Sequence, residues 1–148
     1  MNMKLEVVII PVSDVDRAKA FYEKAGFRLD IDHVADEKFR ALQFTPPRSN
    51  ASIIFKGVTS TTPGSTELVL AVEDVDAARD ELVGRGINVT EVFHYAGGPF
   101  NNSGANPRVP GRAPEGQSYF SFASFEDPDG NHWALQEIRE RLPGREWS

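Results

Sequence analysis

Residues 5–11 (Leu-Glu-Val-Val-Ile-Ile-Pro) are apolar and β-branched, the pattern of a strand covered on both faces. Ser13 and Asp14 follow, short polar side chains suited to accept the unsatisfied first-turn amides of a helix. Val15, Ala18, Phe21 and Tyr22 then recur at helical spacing, giving one apolar stripe on a helix that Gly26 closes. Three strand-like runs come next, at 27–34, 38–45 and 51–56, split by Ala35-Asp36-Glu37 and by Pro46-Pro47-Arg48-Ser49-Asn50. The first part of the chain therefore reads strand, helix, strand, strand, strand.

The pattern then returns. Val12-Ser13-Asp14-Val15-Asp16-Arg17-Ala18-Lys19-Ala20 reappears as Val72-Glu73-Asp74-Val75-Asp76-Ala77-Ala78-Arg79-Asp80, and Gly26-Phe27 as Gly86-Ile87, both shifted by 60 residues (72 − 12; 86 − 26). Leu68-Val69-Leu70-Ala71 precedes the second copy as Val7-Val8-Ile9-Ile10 precedes the first. Val75, Ala78, Leu82 and Val83 supply the second helical stripe, and strands are expected at 87–94, 118–126 and 131–138. The last two are joined by Asp127-Pro128-Asp129-Gly130, a strong turn signal. An internal repeat of this kind sets the fold class. The chain reads as a single α+β domain of two tandem βαβββ modules, about 4–57 and 66–138. A Gly/Thr/Ser-rich joint at 57–66 links them and a tail follows at 139–148.

One segment breaks the symmetry. Residues 95–117 hold five glycines, four prolines and three asparagines, with little hydrophobic periodicity. Unstructured loops of this length are uncommon inside compact domains and are either functional or disordered. Tyr95, Phe100 and Val109 would let the segment pack as a lid; a surface insertion is the alternative.

Composition narrows the function classes. The 148 residues carry a net charge of −6, which argues against a nucleic-acid surface. Arg139, Arg141 and Arg145 cluster in the tail, but Glu140 and Glu146 are interleaved, as in a solvated surface. No stretch has the length of a membrane span, and the opening residues lack the charged and apolar regions of a signal peptide. Zero cysteines removes disulfides, thiolate metal sites and thiol nucleophiles, and is compatible with a cytoplasmic location. Ser118, Ser121 and Ser124 have no histidine at a motif-like spacing, and no Gly-x-Ser-x-Gly elbow occurs.

The repeated strand–helix–three strands, opened by Val-Ser-Asp-Val-Asp-Arg-Ala-Lys-Ala-Phe-Tyr at 12–22, resembles the vicinal oxygen chelate superfamily. This superfamily includes glyoxalase I, extradiol dioxygenases, fosfomycin-resistance enzymes and bleomycin-resistance proteins. The ending Phe125-Glu126-Asp127-Pro128-Asp129-Gly130-Asn131-His132-Trp133 is similar to that family's final hairpin, and the resemblance spans roughly 4–138. It implies two modules whose curled mixed sheets surround a cleft, often within a homodimer. It also implies four metal-ligand positions in those members that use a metal. Two lie seven residues before each helix-opening aspartate, at Val7 and Glu67; one lies four residues past Gly130, at Ala134; the fourth matches Ile54, give or take one residue. One oxygen donor does not hold a catalytic divalent ion, which takes at least three protein ligands. A register shift would bring His132 beside Glu67 and still leave a third ligand missing. No metal and no other cofactor is therefore expected, and the inherited case for glyoxalase, dioxygenase or thiol-transferase chemistry falls.

Strand alternation assigns the side chains that would line the cleft. Glu67, Val69 and Ala71 share one face, as do His132, Ala134 and Gln136, while Trp133 and Leu135 go to the core. Such a groove is mostly apolar with a few polar groups, as small-molecule pockets are. For Glu67 two readings stand: a desolvated acid or base in an apolar cleft, or a half-exposed strand opener. Gln136 bonds a ligand or a neighbouring strand; His132 is a turn histidine or a ligand contact; His94 is a loop histidine or touches ligand at the lid. Gln43 and Tyr119 are further polar candidates on expected strands, and Phe100 on the lid. Two functions follow. One is metal-free binding and sequestration of a small apolar or aromatic molecule, as in the bleomycin-resistance branch. The other is a metal-independent isomerase, lyase or hydrolase with Glu67 as general acid or base. A glyoxalase-like metalloenzyme stands behind both.

Overall fold

The computed structural model describes residues 1–36, 39–56, 62–101 and 105–144. Five residues of the expected joint (57–61) and the end of the tail (145–148) lie outside these. The chain forms two compact units, Met1–Glu67 with Glu126–His132, and Leu68–Phe125 with Trp133–Ser148.

In the first unit the order is β1 (Val7–Pro11), α1 (Val15–Lys24), β2 (Arg28–Asp36), β3 (Phe39–Thr45) and β4 (Ser52–Lys56). The sheet runs β1-β4-β3-β2, with β1 parallel to β4 and the other pairs antiparallel. Asp14 caps α1 by accepting the Arg17 N–H at 3.0 Å. Gly26 ends it at φ 89°, a left-handed conformation that costs a residue with a Cβ far more than glycine. Ala18 and Tyr22 of the expected stripe are fully covered. The Tyr22 ring meets Phe55 at 4.6 Å, Phe27 at 5.4 Å and Phe44 at 6.0 Å, so these strands turn that side to α1.

The final hairpin turn belongs to this unit. The Tyr22 hydroxyl donates to Asp127 at 2.8 Å, and the Asn131 amide donates to Asp127 at 2.8 Å and to the Pro11 carbonyl at 3.3 Å. Ser13, beside the cap, is held by Asp129: its backbone N–H lies 3.2 Å from both carboxylate oxygens, and Arg17 reaches the same carboxylate at 3.2 Å.

The second unit repeats the plan with β5 (Glu67–Val72), α2 (Val75–Gly84), β6 (Phe93–Tyr95), β7 (Arg108–Pro110), a 3-10 turn at Pro114–Gly116, β8 (Phe122–Glu126) and β9 (His132–Glu137). Its sheet order is β5-β9-β8-β6-β7. Asp74 caps α2 as Asp14 caps α1, with the same extended backbone (φ −140° against −141°). Gly86, at φ 83°, closes it. Val83, placed on the stripe by its spacing, is instead 43% exposed, so the buried stripe of α2 rests on Val75 and Leu82.

Three strand expectations change. The segment 95–117 is not structureless: its described residues fold back as a β6–β7 hairpin, with Phe93 opposite Pro110 and Tyr95 opposite Arg108. Asn106 holds the hairpin's turn side, accepting from the Gly97 N–H at 2.7 Å and donating to the Gly98 carbonyl at 2.8 Å. The strand expected over 87–94 joins the ladder only from Phe93 onward. The strand expected from 118 begins at Phe122, because Tyr119 adopts φ 77° and turns the chain before it.

Candidate ligand-binding faces

Each sheet has one face against its helix and one open face. In the first sheet Leu42, Phe44, Ile53 and Phe55 lie toward α1 and are buried. The opposite face holds Val7, Ile9, Ile54, Gln43 and Ile31, with Ile9 paired to Ile54, Ile54 to Gln43 and Ile31 to Gln43. Ile9 is 47% and Ile31 49% exposed, so this face opens apolar side chains to water, while Thr45 and Ser52 on the same side are buried and bonded to each other at 2.7 Å and His33 adds an exposed imidazole.

In the second sheet Phe125 and Trp133 stack with ring planes 3° apart, so the odd-numbered residues of β8 and β9 share one side. That side faces α2, because buried Glu137 accepts the Val75 N–H at 3.0 Å at the helix start. The even-numbered residues His132, Ala134 and Gln136 lie on the other face and are half-buried, matching the expected alternation. Phe122 shares this open side and joins an aromatic cluster from β6. Its ring stacks with Phe93 at 5.8 Å and meets Tyr95 edge-on at 5.4 Å; Phe93 and Tyr95 are 5.6 Å apart. The Arg108 guanidinium sits 4.1 Å over the Phe93 ring.

The two sheets carry the repeat down to single bonds. Ser52 N–H donates to the Glu6 carbonyl, and His132 N–H donates to the Thr66 carbonyl, each at 2.8 Å. Ser52 and His132 are therefore equivalent, as are Val7 and Glu67, and two residues further on Ile54 and Ala134. The four positions that the resemblance assigns to metal ligands thus hold Val7, Ile54, Glu67 and Ala134, with one oxygen donor among them. Among the described residues no group of three or more His, Asp or Glu side chains could hold a metal ion. The donor set does not fit a divalent ion.

The remaining candidates fall as follows. Glu67 opens β5 exposed to solvent, the second of its two readings, and the shared ladder bond puts it beside His132 on the neighbouring strand. Gln43 is half-buried between apolar neighbours. Gln136 donates to the Tyr119 carbonyl at 2.9 Å. Tyr119 is buried rather than displayed on a strand: its hydroxyl accepts the Leu142 N–H at 3.0 Å, and its ring lies 6.0 Å from exposed Phe100. His94 Nδ1 lies 2.8 Å from the Gly111 carbonyl; a carbonyl only accepts, so Nδ1 donates there.

Sequence reasoning missed four residues that shape the second unit. Phe93 and Arg108 build the aromatic cluster, and Arg112 and Glu137 tie the hairpin arm to α2. Glu137 is fully buried, and Arg112 bridges it to Asp76 in the first turn of the helix. These contacts hold the Arg112 guanidinium above its ordinary pKa, the Asp76 hydrogen bond foremost. One signal was available for Glu137: it follows Trp133 and Leu135 at the period of two that marks the core face of β9.

Comparison with known proteins agrees with this geometry. Among proteins of curated function none matches the chain. Among solved structures, TnmS3, described as an antibiotic binding protein from Streptomyces sp. CB03234, is 31% identical, with 93% of this chain and 97% of that one covered and a TM-score of 0.65. A glyoxalase/bleomycin resistance protein from the same organism is also 31% identical, covering 90% of this chain and 100% of its own, at a TM-score of 0.63. A superfamily member from Sphaerobacter thermophilus DSM 20745 is 26% identical over 92% of this chain and 98% of that one, with a TM-score of 0.63. A family model matches residues 4–135, and the chain belongs to the Glyoxalase/Bleomycin resistance protein/Dioxygenase superfamily.

Proposed function

We propose that this protein binds a small, largely apolar or aromatic molecule on the open faces of its sheets and holds it without transforming it. The observation that carries the reading is the open face of the second sheet. There Phe93, Tyr95 and Phe122 form an aromatic cluster on the same side as Ala134 and Gln136; Phe93 and Phe122 are buried, and half-buried Tyr95 is the ring of the three left open to a ligand. Such a surface offers stacking area with few polar groups to fix orientation. The likeness to TnmS3, described as antibiotic-binding, supports the same reading. Phe100 and His94 on the hairpin arm are further contacts in this proposal, and Val7, Ile54 and Gln43 are those it assigns to the open face of the first sheet. The exposed isoleucines of the first sheet favour association of two copies of the chain, which sedimentation velocity would show as a dimer. The cysteine-free composition accords with work in the cytoplasm.

The test is calorimetric titration with naphthalene-2-carboxamide, followed by mass analysis of the compound after long incubation with stoichiometric protein. Saturable binding with the compound unchanged is expected. Conversion of the compound, or absence of binding by both this probe and its carboxylate analogue 2-naphthoate, would overturn the proposal. A second reading, catalysis with Glu67 as general acid or base, draws on its place beside His132. It requires a turnover that Glu67→Gln abolishes while ligand affinity is kept.

A further inference from the structure

We infer that the ligand of the second sheet carries an anionic group, and that Arg108 is the residue selecting it. This rests on the binding reading above and names the chemistry of its ligand. Charge is the first ground. In the second unit Arg79, Arg85, Arg112 and Arg139 each face an aspartate or glutamate. Arg108 does not: among the described residues it pairs with no carboxylate and donates to no acceptor, and its one specific contact is the Phe93 ring at 4.1 Å. In a chain with 22 acidic residues against 16 basic ones, an arginine left without a carboxylate stands out.

Placement is the second ground. Arg108 stands directly opposite Tyr95 in the hairpin ladder, so its side chain rises on the side occupied by Phe93 and Tyr95. The cation–π contact restrains the guanidinium over the aromatic cluster while spending none of its five N–H donors on a protein oxygen. A planar ligand lying against Tyr95 and the exposed side of Arg108 would bring a carboxylate, sulfonate or phenolate oxygen to those donors. Arginine is suited to that pairing because its donors form a fixed fork that matches two oxygens at once. Glu67, exposed on β5 of the same sheet, does not lie on the hairpin and so does not neutralise it.

A matched pair of probes decides the matter: 2-naphthoate and naphthalene-2-carboxamide share ring and shape and differ in charge. The wild-type chain should bind the carboxylate at least tenfold tighter at low salt, and the preference should shrink as ionic strength rises. In Arg108→Gln the ratio of the two affinities should fall to within about twofold of unity. The readout is that ratio within one protein, so a change in shared stacking cancels. Equal affinities in the wild type, or a preference that survives Arg108→Gln, overturn the inference while leaving aromatic binding intact. Binding of neither probe by the wild type overturns the binding reading and this inference with it.

Discussion

Arg112→Met is expected to destabilise the second unit far more than its partly exposed position suggests. Arg112 is 30% exposed, but the Glu137 carboxylate it meets is 0% exposed. In the variant, Glu137 keeps the Val75 N–H at 3.0 Å and the Arg139 guanidinium at 3.4 Å, itself 53% exposed. Removing one partner of a buried ion pair costs about 3–5 kcal/mol, because a charge is left desolvated. The two remaining contacts offset part of that, which puts the expected loss at about 2–3 kcal/mol. A domain of this size loses roughly 2–4 °C in Tm per kcal/mol, so the melting point should fall by about 5–10 °C. The contrast is Asp76→Ala, which removes Arg112's other partner. Asp76 is 53% exposed, and a pair of that kind contributes about 0.2–1 kcal/mol. Urea unfolding followed by the fluorescence of buried Trp133 measures both. A loss in Arg112→Met no larger than in Asp76→Ala would refute the reasoning, since it would mean that the buried charge needs no guanidinium.

Three further outcomes follow from single contacts. Arg40 donates to both oxygens of Asp32 at 2.9 Å and holds its carboxyl down to about 2, with Lys19 assisting. A folded-state value below the unfolded one contributes stability above the unfolded pKa, and that contribution is lost as pH falls from about 4 toward about 2. The wild-type urea midpoint should therefore drop more steeply over that window than that of Asp32→Asn, and parallel curves would contradict it. Tyr22→Phe keeps the ring stack but removes a buried donor from Asp127, for an expected loss of about 1–2 kcal/mol in urea unfolding. Gly64→Ala drives a Cβ into the Asp129 carbonyl oxygen at φ +88°, whereas Gly84→Ala meets open space at the end of α2. The first should lose at least about 1–2 kcal/mol and the second gain up to about 1 kcal/mol, measured by the same unfolding curves.

The parts of the fold legible in the sequence are those set by local chemistry. Asp14 and Asp74 cap because a short carboxylate one residue before an apolar stripe reaches the next free amides. Gly26 and Gly86 end helices because their positive φ is a property of single residues. The face assignment of β9 was legible too, because Trp133, Leu135 and their neighbours alternate without interruption. The β6–β7 hairpin was not. Its ladder is three residues long, and its turn is organised by the Asn106 side chain, so no hydrophobic period announces it. Tyr119 carried no turn signal either, since a tyrosine at positive φ follows from its surroundings, where its hydroxyl and both backbone polar groups are bonded, and not from its own preference.

The same division runs through the site. The family resemblance located Val7, Ile54, Glu67 and Ala134, and equal ladder bonds at Glu6–Ser52 and Thr66–His132 make the two copies equivalent there. What the resemblance does not reach is whatever the two copies do not share. β6 takes the place that β2 holds at the edge of the first sheet, but β7 has no counterpart in the first unit, and it supplies Arg108, one of the groups that distinguish the open face of the second sheet from that of the first. On the first sheet the open face carries valine and isoleucine with Gln43, Thr45, Ser52 and His33; on the second an aromatic cluster lies with a cation above it. A duplicated scaffold alone would present two similar surfaces. The added strand makes them different, and under the proposed function selectivity for one ligand over another of the same shape would arise there, at Arg108.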